Sequence, residues 1–294
     1  MSDQATPQAP APPSPLPAAD GAGVGPETGP CYAFAIGRHT PELAAAAAGV
    51  SGLDGADVRA VWADGLGALV CAVAPDAFSE AGLRAQLEDL ERLTVIARSH
   101  HEVVAAASAV TTVLPLRLGT VYQDASRVAQ MLREHGTALR ESLDRLTGHA
   151  EWGVKVYAEP DAGPSPPPAA DGSADTPGRA YLQRRRAARE ARRAADRTAR
   201  EVVARVRATA AEWAVDRVAH RPQQGELATS RGENLVNDAY LVAAEHVDAF
   251  QDAVRHAAAG AAGVRVELTG PWAPYSFATP PGAEPGGEGL GHES

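Results

Sequence analysis

The stretch EPDAGPSPPPAADGSADTPG, residues 159–178, cannot contribute to a core. Its side chains are small or polar and bury too little surface to offset the entropy of ordering them. The same composition fills residues 1–29 and the end of the chain from about 279, TPPGAEPGGEGLGHES. Whatever folds must therefore be assembled from residues 30–158 and 179–278, with the middle segment inserted between elements of one unit.

The first block opens with CYAFAIG (31–37), an apolar and aromatic run ended by Gly37, which predicts a buried strand. DVRAVWAD (57–64) and LGALVCAV (66–73) predict two strands joined at Asp64-Gly65, a strong hairpin signal. Apolar spacing over 86–109 (Leu87, Leu90, Leu93, Ile96, Val103, Val104) predicts an amphipathic helix packed on that hairpin. TTVLPLRLGTVY (111–122) is strand-like, with Pro115 placing it at an edge or strand end. Residues 125–147 repeat the helical spacing and stop at Gly148.

The second block begins with AEWGVKVYA (150–158), which alternates Trp152, Val154 and Val156 against Glu151, Lys155 and Tyr157. A helix is expected from about 179 to 219, a short strand or turn at 227–232, strands at 234–243 and 263–270, and a helix at 248–259 between them. Read in order this is β-α-β-β-α-β, the element order of the ferredoxin-like split βαβ fold. The expected architecture is α+β with two domains. Residues 30–149 form an N-terminal β-hairpin sheet with helices, and 150–279 form a modified ferredoxin-like domain carrying the 159–178 insert. The tails are 1–29 and 280–294.

The net charge of −10 and pI of about 5.4 argue against a general nucleic-acid binder. Cys31 and Cys71 each lie in a β-like run and read as two buried small thiols. The N-terminal segment lacks the basic start and apolar core of a signal peptide, and no run of 18 apolar residues exists. A cytoplasmic protein is expected, with no membrane partner. GxSxG and a P-loop are absent, HHEVV (100–104) lacks the second His of HExxH, and GLG at 65–67 has no helix after it. No catalytic residue, metal ligand set or cofactor site is expected.

Two features remain. Residues 179–207 carry 11 Arg against three acids, with Arg184, Arg185, Arg186, Arg189, Arg192 and Arg193 densest. Such a helix can track phosphates, or it can meet an acidic protein surface, its own or a partner's. Aromatics for base stacking are scarce near it. At the other end, LTGPWAPYSF (268–277) places Trp272, Tyr275 and Phe277 among Pro271 and Pro274, in a chain with only 14 aromatics. Gly270-Pro271 should end the last strand, and Pro274 should stiffen the next residues into a strap laid back across the protein. Core packing is the first explanation of its aromatics, a recognition surface the second.

LTGPWAPYSF resembles the closing motif of the gas vesicle accessory protein F/L family (GvpF/GvpL), several members of which have WPPYSF. CYAFAIG, VLPLRLGTVY (113–122), EWGVKVY (151–157), GRAYL (178–182) and NDAYLV (237–242) agree with it in order. The likeness spans about residues 30–279 and leaves the tails and insert outside. It marks Pro115, Arg117, Gly119, Trp152, Tyr240, Gly270, Pro271, Trp272, Pro274, Tyr275 and Phe277 as structural or interaction positions. Of the polar residues, Arg117 reads as pairing with a carboxylate at the domain junction, and Arg231, Glu233, Asn234 and Asn237 as a polar turn before a strand. The resemblance implies a non-enzymatic helper of gas vesicle assembly that binds the hydrophobic shell protein, other vesicle accessory proteins, or both. A nucleic-acid-binding module using helix 184–207 is the alternative, and an enzyme on a ferredoxin-like scaffold stands third.

Overall fold

The computed structural model describes residues 29–158, 177–222 and 233–278. The tails, most of the insert and the short element expected at 227–232 lie outside the described residues, as does Arg231, read with Glu233, Asn234 and Asn237 as a polar turn.

Strand β1 (Cys31–Arg38) is buried almost throughout and sits inside a sheet of order β2-β3-β1-β4, with β5 also pairing β1. These partners are β2 (Val58–Ala63), β3 (Leu66–Ala72), β4 (Val113–Pro115) and β5 (Val121–Tyr122). Asp64 and Gly65 both take positive φ, 48° and 73°, as a tight turn matched to strand twist requires. Both faces of this sheet are covered, which is why β1 and β3 read as unbroken apolar runs. Helices α1 (Pro41–Ala48), α2 (Glu80–Glu88) and α3 (Leu90–Ser108) belong to one side, where Tyr32, Phe34 and Leu69 meet Leu43, Ile96 and Val103. Helices α4 (Ala125–Glu134) and α5 (Gly136–Leu146) take the other, where Ile36, Leu66 and Val70 meet Val128, Leu132, Leu139 and Leu143.

The helices depart from the sequence expectations in three places. The alanine run after Thr40 is a helix, started by the Thr40 hydroxyl accepting the Leu43 N–H and by Pro41 in the first turn. The helix expected over 86–109 starts at Leu90, because Asp89 turns the chain and caps α3 by accepting from the Glu91 and Arg92 N–H groups. Leu90, placed on the apolar stripe from spacing alone, is 74% exposed as a result. The helix expected over 125–147 breaks at His135, which leaves helical backbone geometry.

The second sheet contains β6 (His149–Ala158), β7 (Ala214–His220), β8 (Glu233–Ala243) and β9 (Val264–Trp272), in the order β7-β8-β6-β9 and antiparallel throughout. With α6 (Pro177–Trp213) and α7 (Val247–Ala258) this is the ferredoxin-like arrangement. The second strand, however, is 214–220, inside the region read as helix to 219. It is an edge strand with a register irregularity and mostly exposed side chains, so it carries no clean alternation. Glu233, Asn234 and Asn237 lie in β8, not in a turn. Pro177 and Gly178, assigned to the insert, open α6.

Helices α6 and α7 cover one face of this sheet, through Val202, Val206, Phe250 and Val254 against Trp152, Val154 and Tyr240. The other face brings Ala239 and Leu241 of β8 into the α4–α5 cluster, so the two halves share one packed layer. Trp152 and Tyr157 sit on opposite faces of β6 and both are buried. The Arg265 guanidinium, on the residue paired across the sheet, lies 4.2 Å over the Tyr157 ring and supplies its cover.

Candidate interaction site

Strand β9 continues through Pro271 to Trp272, past the end that Gly270-Pro271 suggested, since an edge strand tolerates a residue with no N–H. Glycine is required at 270. Its φ is 140°, and a Cβ there would stand 2.9 Å from the Glu151 carbonyl and 3.1 Å from the Trp152 ring. Past Trp272 the chain turns sharply. The Phe277 and Ala278 N–H groups both donate to the Pro274 carbonyl, at 3.1 and 2.9 Å.

The strap formed this way threads between the two halves. Ala273 and Tyr275 join the cluster on the α3 side of the first sheet, and Phe277 enters the cluster on the α4–α5 side. Polar contacts hold it from three elements. Glu151 of β6 accepts from the Ser276 N–H and hydroxyl, both at 2.7 Å. His220, at the end of β7, lies 2.9 Å from the same hydroxyl through Nε2. Arg145 of α5 donates to the Phe277 carbonyl at 2.7 Å and approaches Asp216 at 3.5 Å. A carboxylate, a serine and a histidine are thus in contact, but not as a catalytic triad. The serine stands between the other two, so no hydrogen bond from the histidine to Glu151 orients the ring as a triad requires.

Burial of Glu151 raises its pKa above the usual carboxylate value, opposed by its two bonds from Ser276. A raised carboxyl pKa means that the folded protein binds more protons than the unfolded chain between the two values. Stability from this group is therefore present below the unfolded pKa and declines as pH rises through the folded one. Subtracting the stability–pH curve of Glu151→Gln from that of the native chain should leave a segment falling with pH just above the normal glutamate range. A flat difference would show that the buried site does not perturb the carboxyl.

Tyr275 reaches α3, where its ring lies 6.3 and 6.4 Å from those of His100 and His101. His100 is 3% exposed and His101 is half-buried, against the edge of Trp272 at 5.6 Å. The Tyr32 hydroxyl accepts the Gly119 N–H at 3.1 Å and is hydrogen-bonded to His100 Nδ1, 2.9 Å away. Burial holds the His100 pKa down at about 4, against a smaller pull from the Leu116 backbone, so the ring is neutral. No hydrogen bond reaches its Nε2 among the described residues, and none reaches the Tyr275 hydroxyl, whose pKa burial also raises. Between α3, residues 115–118 and the strap lies a cleft of about 440 Å³.

The structure thus gathers Pro115, Arg117 and Tyr275 at one cleft, with Trp272 beside it at 41% exposure. Arg117, read as a partner for a carboxylate at the domain junction, makes no ion pair among the described residues and is exposed at the cleft. Gly119 takes φ 83° and serves the Tyr32 hydroxyl. Trp152, Tyr240 and Phe277 are core residues. Sequence reading missed Glu151, His220 and Arg145, which meet the strap only through the fold.

The basic helix divides in two. Arg185, Arg186, Arg189 and Arg193 are exposed; the side chains of Arg184 and Arg192 lie outside the described residues. Further along, Arg207 pairs with the fully buried Asp238 at 2.8 and 3.1 Å, joined by Arg217 at 3.3 Å, and Arg205 donates to the Ala257 carbonyl. Among the described residues no His, Cys, Asp and Glu cluster could hold a metal ion, and no helix is long and apolar enough to cross a membrane.

Comparison with known proteins agrees with this architecture. Residues 30–279 match the family model described as gas vesicle synthesis protein GvpL/GvpF. Gas vesicle protein L of Streptomyces sp. (strain CB03234) is 41% identical over 249 residues, covering 84% of this chain and 92% of that protein. Gas vesicle protein F2 of Halobacterium salinarum is 28% identical, over 64% of this chain and 70% of its own length. The crystal structure of GvpF from Anabaena sp. PCC7120 shares the fold, with a TM-score of 0.59 at 20% identity, covering 85% of this chain and 96% of that one. The GvpF structure from Microcystis aeruginosa gives 0.57, also at 20% identity, over 86% of this chain and all of that one. The family match over the whole described fold and the close likeness to a gas vesicle protein L place the role of this chain with gas vesicles, and the chain belongs to the GvpL/GvpF family of gas vesicle synthesis proteins.

Proposed function

We propose that this chain is a cytoplasmic assembly factor that binds the hydrophobic shell protein of the gas vesicle, other vesicle accessory proteins, or both, and makes or breaks no covalent bond. The observation that carries the reading is the exposed aromatic and aliphatic edge of the strap region. Trp272, 41% exposed, leads into the strap that three elements anchor, and Leu118, 37% exposed, lies in the loop after β4 that forms another wall of the cleft. A rigid apolar edge loses little entropy when it docks, and a shell subunit with exposed apolar surface needs such cover to avoid aggregating. The acidic charge of the whole chain keeps the complex dispersed.

Trp272→Ala should weaken capture of purified shell protein at least about tenfold, as loss of a central aromatic anchor does, while thermal unfolding of the variant stays close to that of the parent. Unchanged capture, or normal floating vesicles in cells lacking the chain, would overturn the reading. The exposed Arg185, Arg186, Arg189 and Arg193 support a second reading, nucleic-acid binding. A gel shift at physiological salt that disappears on Arg185→Ala/Arg186→Ala would favour it.

A further inference from the structure

We infer that the cleft between α3, residues 115–118 and the strap is a preformed site for an extended apolar peptide segment that carries a carboxylate, contributed by a protein partner. The inference rests on the binding role proposed above and deepens it by naming what the partner presents. In a chain of net charge −10, no Asp or Glu among the described residues lines this cleft. The Glu151 carboxylate, held by the lining residue Ser276, has both oxygens occupied by it.

What does line the cleft is donors. The Arg117 guanidinium is exposed and engages no hydrogen bond or ion pair among the described residues. His101 offers a half-buried ring edge. His100, 3% exposed in the inner wall, keeps its Nδ1 committed to Tyr32, and its Nε2 has no hydrogen-bond partner among the described residues. An exposed guanidinium with no ion pair, in a cleft with no carboxylate among the described residues, favours a ligand that brings a carboxylate for Arg117.

A small anion alone does not account for the remaining surface. The cleft walls include Leu116, Leu118 and Tyr275, and the exposed Leu118 and Trp272 continue the apolar contact beyond its mouth. At about 440 Å³ it has the size of a site for a few residues, and its walls stand on a helix and an anchored strap, so little ordering is left to the ligand. An acidic residue flanked by aliphatic ones satisfies both the donors and the walls.

The test is a titration of the full-length, ¹⁵N-labelled chain with the peptide acetyl-Ala-Leu-Glu-Leu-Ala-amide and its Gln and Lys analogues. Binding should shift the amide signals of His101, Arg117, Leu118 and Tyr275. The Gln analogue, or the Arg117→Gln chain, should bind about tenfold more weakly, the size of one charge-assisted hydrogen bond. Arg117 is exposed, so the variant should fold as the parent does, which its unshifted spectrum would verify. No response at millimolar peptide, equal binding of the Lys analogue, or shifts confined to α6 would each overturn the site. So would binding seen only after residues 279–294 are removed, because the acidic end of this chain, not a partner, would then be the occupant. Loss of shell-protein capture in Trp272→Ala with no peptide response would leave the assembly role standing and remove this site alone.

Discussion

Arg207→Ala is expected to destabilise the protein by about 3–5 kcal/mol, the range for removing one partner of a buried ion pair, whereas Arg185→Ala or Arg189→Ala should stay within about 0.5 kcal/mol. All three belong to the same arginine-rich helix. The difference lies in what each faces. Arg207 gives two hydrogen bonds to Asp238, whose side chain has no exposure, while Arg185 and Arg189 face solvent. Without Arg207 the carboxylate keeps Arg217 at 3.3 Å and the Tyr240 hydroxyl at 3.4 Å, which sets the cost toward the lower end. Denaturant midpoints of the three variants, with the slope held constant, measure it. Equal midpoints would mean that Asp238 is solvated when Arg207 leaves.

Phe277→Ala should have a comparable effect, about 3–5 kcal/mol from lost burial and the cavity left behind. Phe277 is 2% exposed and is the strap residue that enters the layer shared by both halves. Its loss leaves the strap end held only through backbone contacts such as that of Arg145 to the residue 277 carbonyl. The variant should therefore lose partner binding at temperatures below its melting point, as Trp272 and Tyr275 leave their places on α3. Trp272→Ala should lose binding as well, but keep stability. Parallel denaturation and capture measurements on the two variants separate anchoring from contact, and a Phe277→Ala protein with native stability would disprove the anchoring role.

The hairpin was legible because Asp64-Gly65 states its own turn geometry, β6 and β8 because largely buried strands advertise themselves, and β9 because Val264, Val266 and Leu268 alternate between two glycines. Strand β7 was not. It pairs along one edge only, exposes most side chains, and comes after a helix without a glycine or proline between them. Helix breaks at Asp89 and His135 escaped notice because apolar spacing continues across them. The strap was visible as a motif, and its proline-stiffened shape was readable from composition. Its fastening was not, since Glu151 and Ser276 are 125 positions apart and only the fold brings them to 2.7 Å. The same is true of Arg207, which local counting assigned to a basic run and the fold commits to Asp238.

Helix α6 carries one more consequence. Its first buried side chain among those described is Ala199, and Arg185 lies about 21 Å before it along the axis at the usual rise per residue. At cellular ionic strength a charge is screened over about 8 Å. An approaching polyanion would therefore sense this outer half as a separate cationic pole. The overall negative total, which governs how whole molecules repel one another, has almost no say in what that pole attracts.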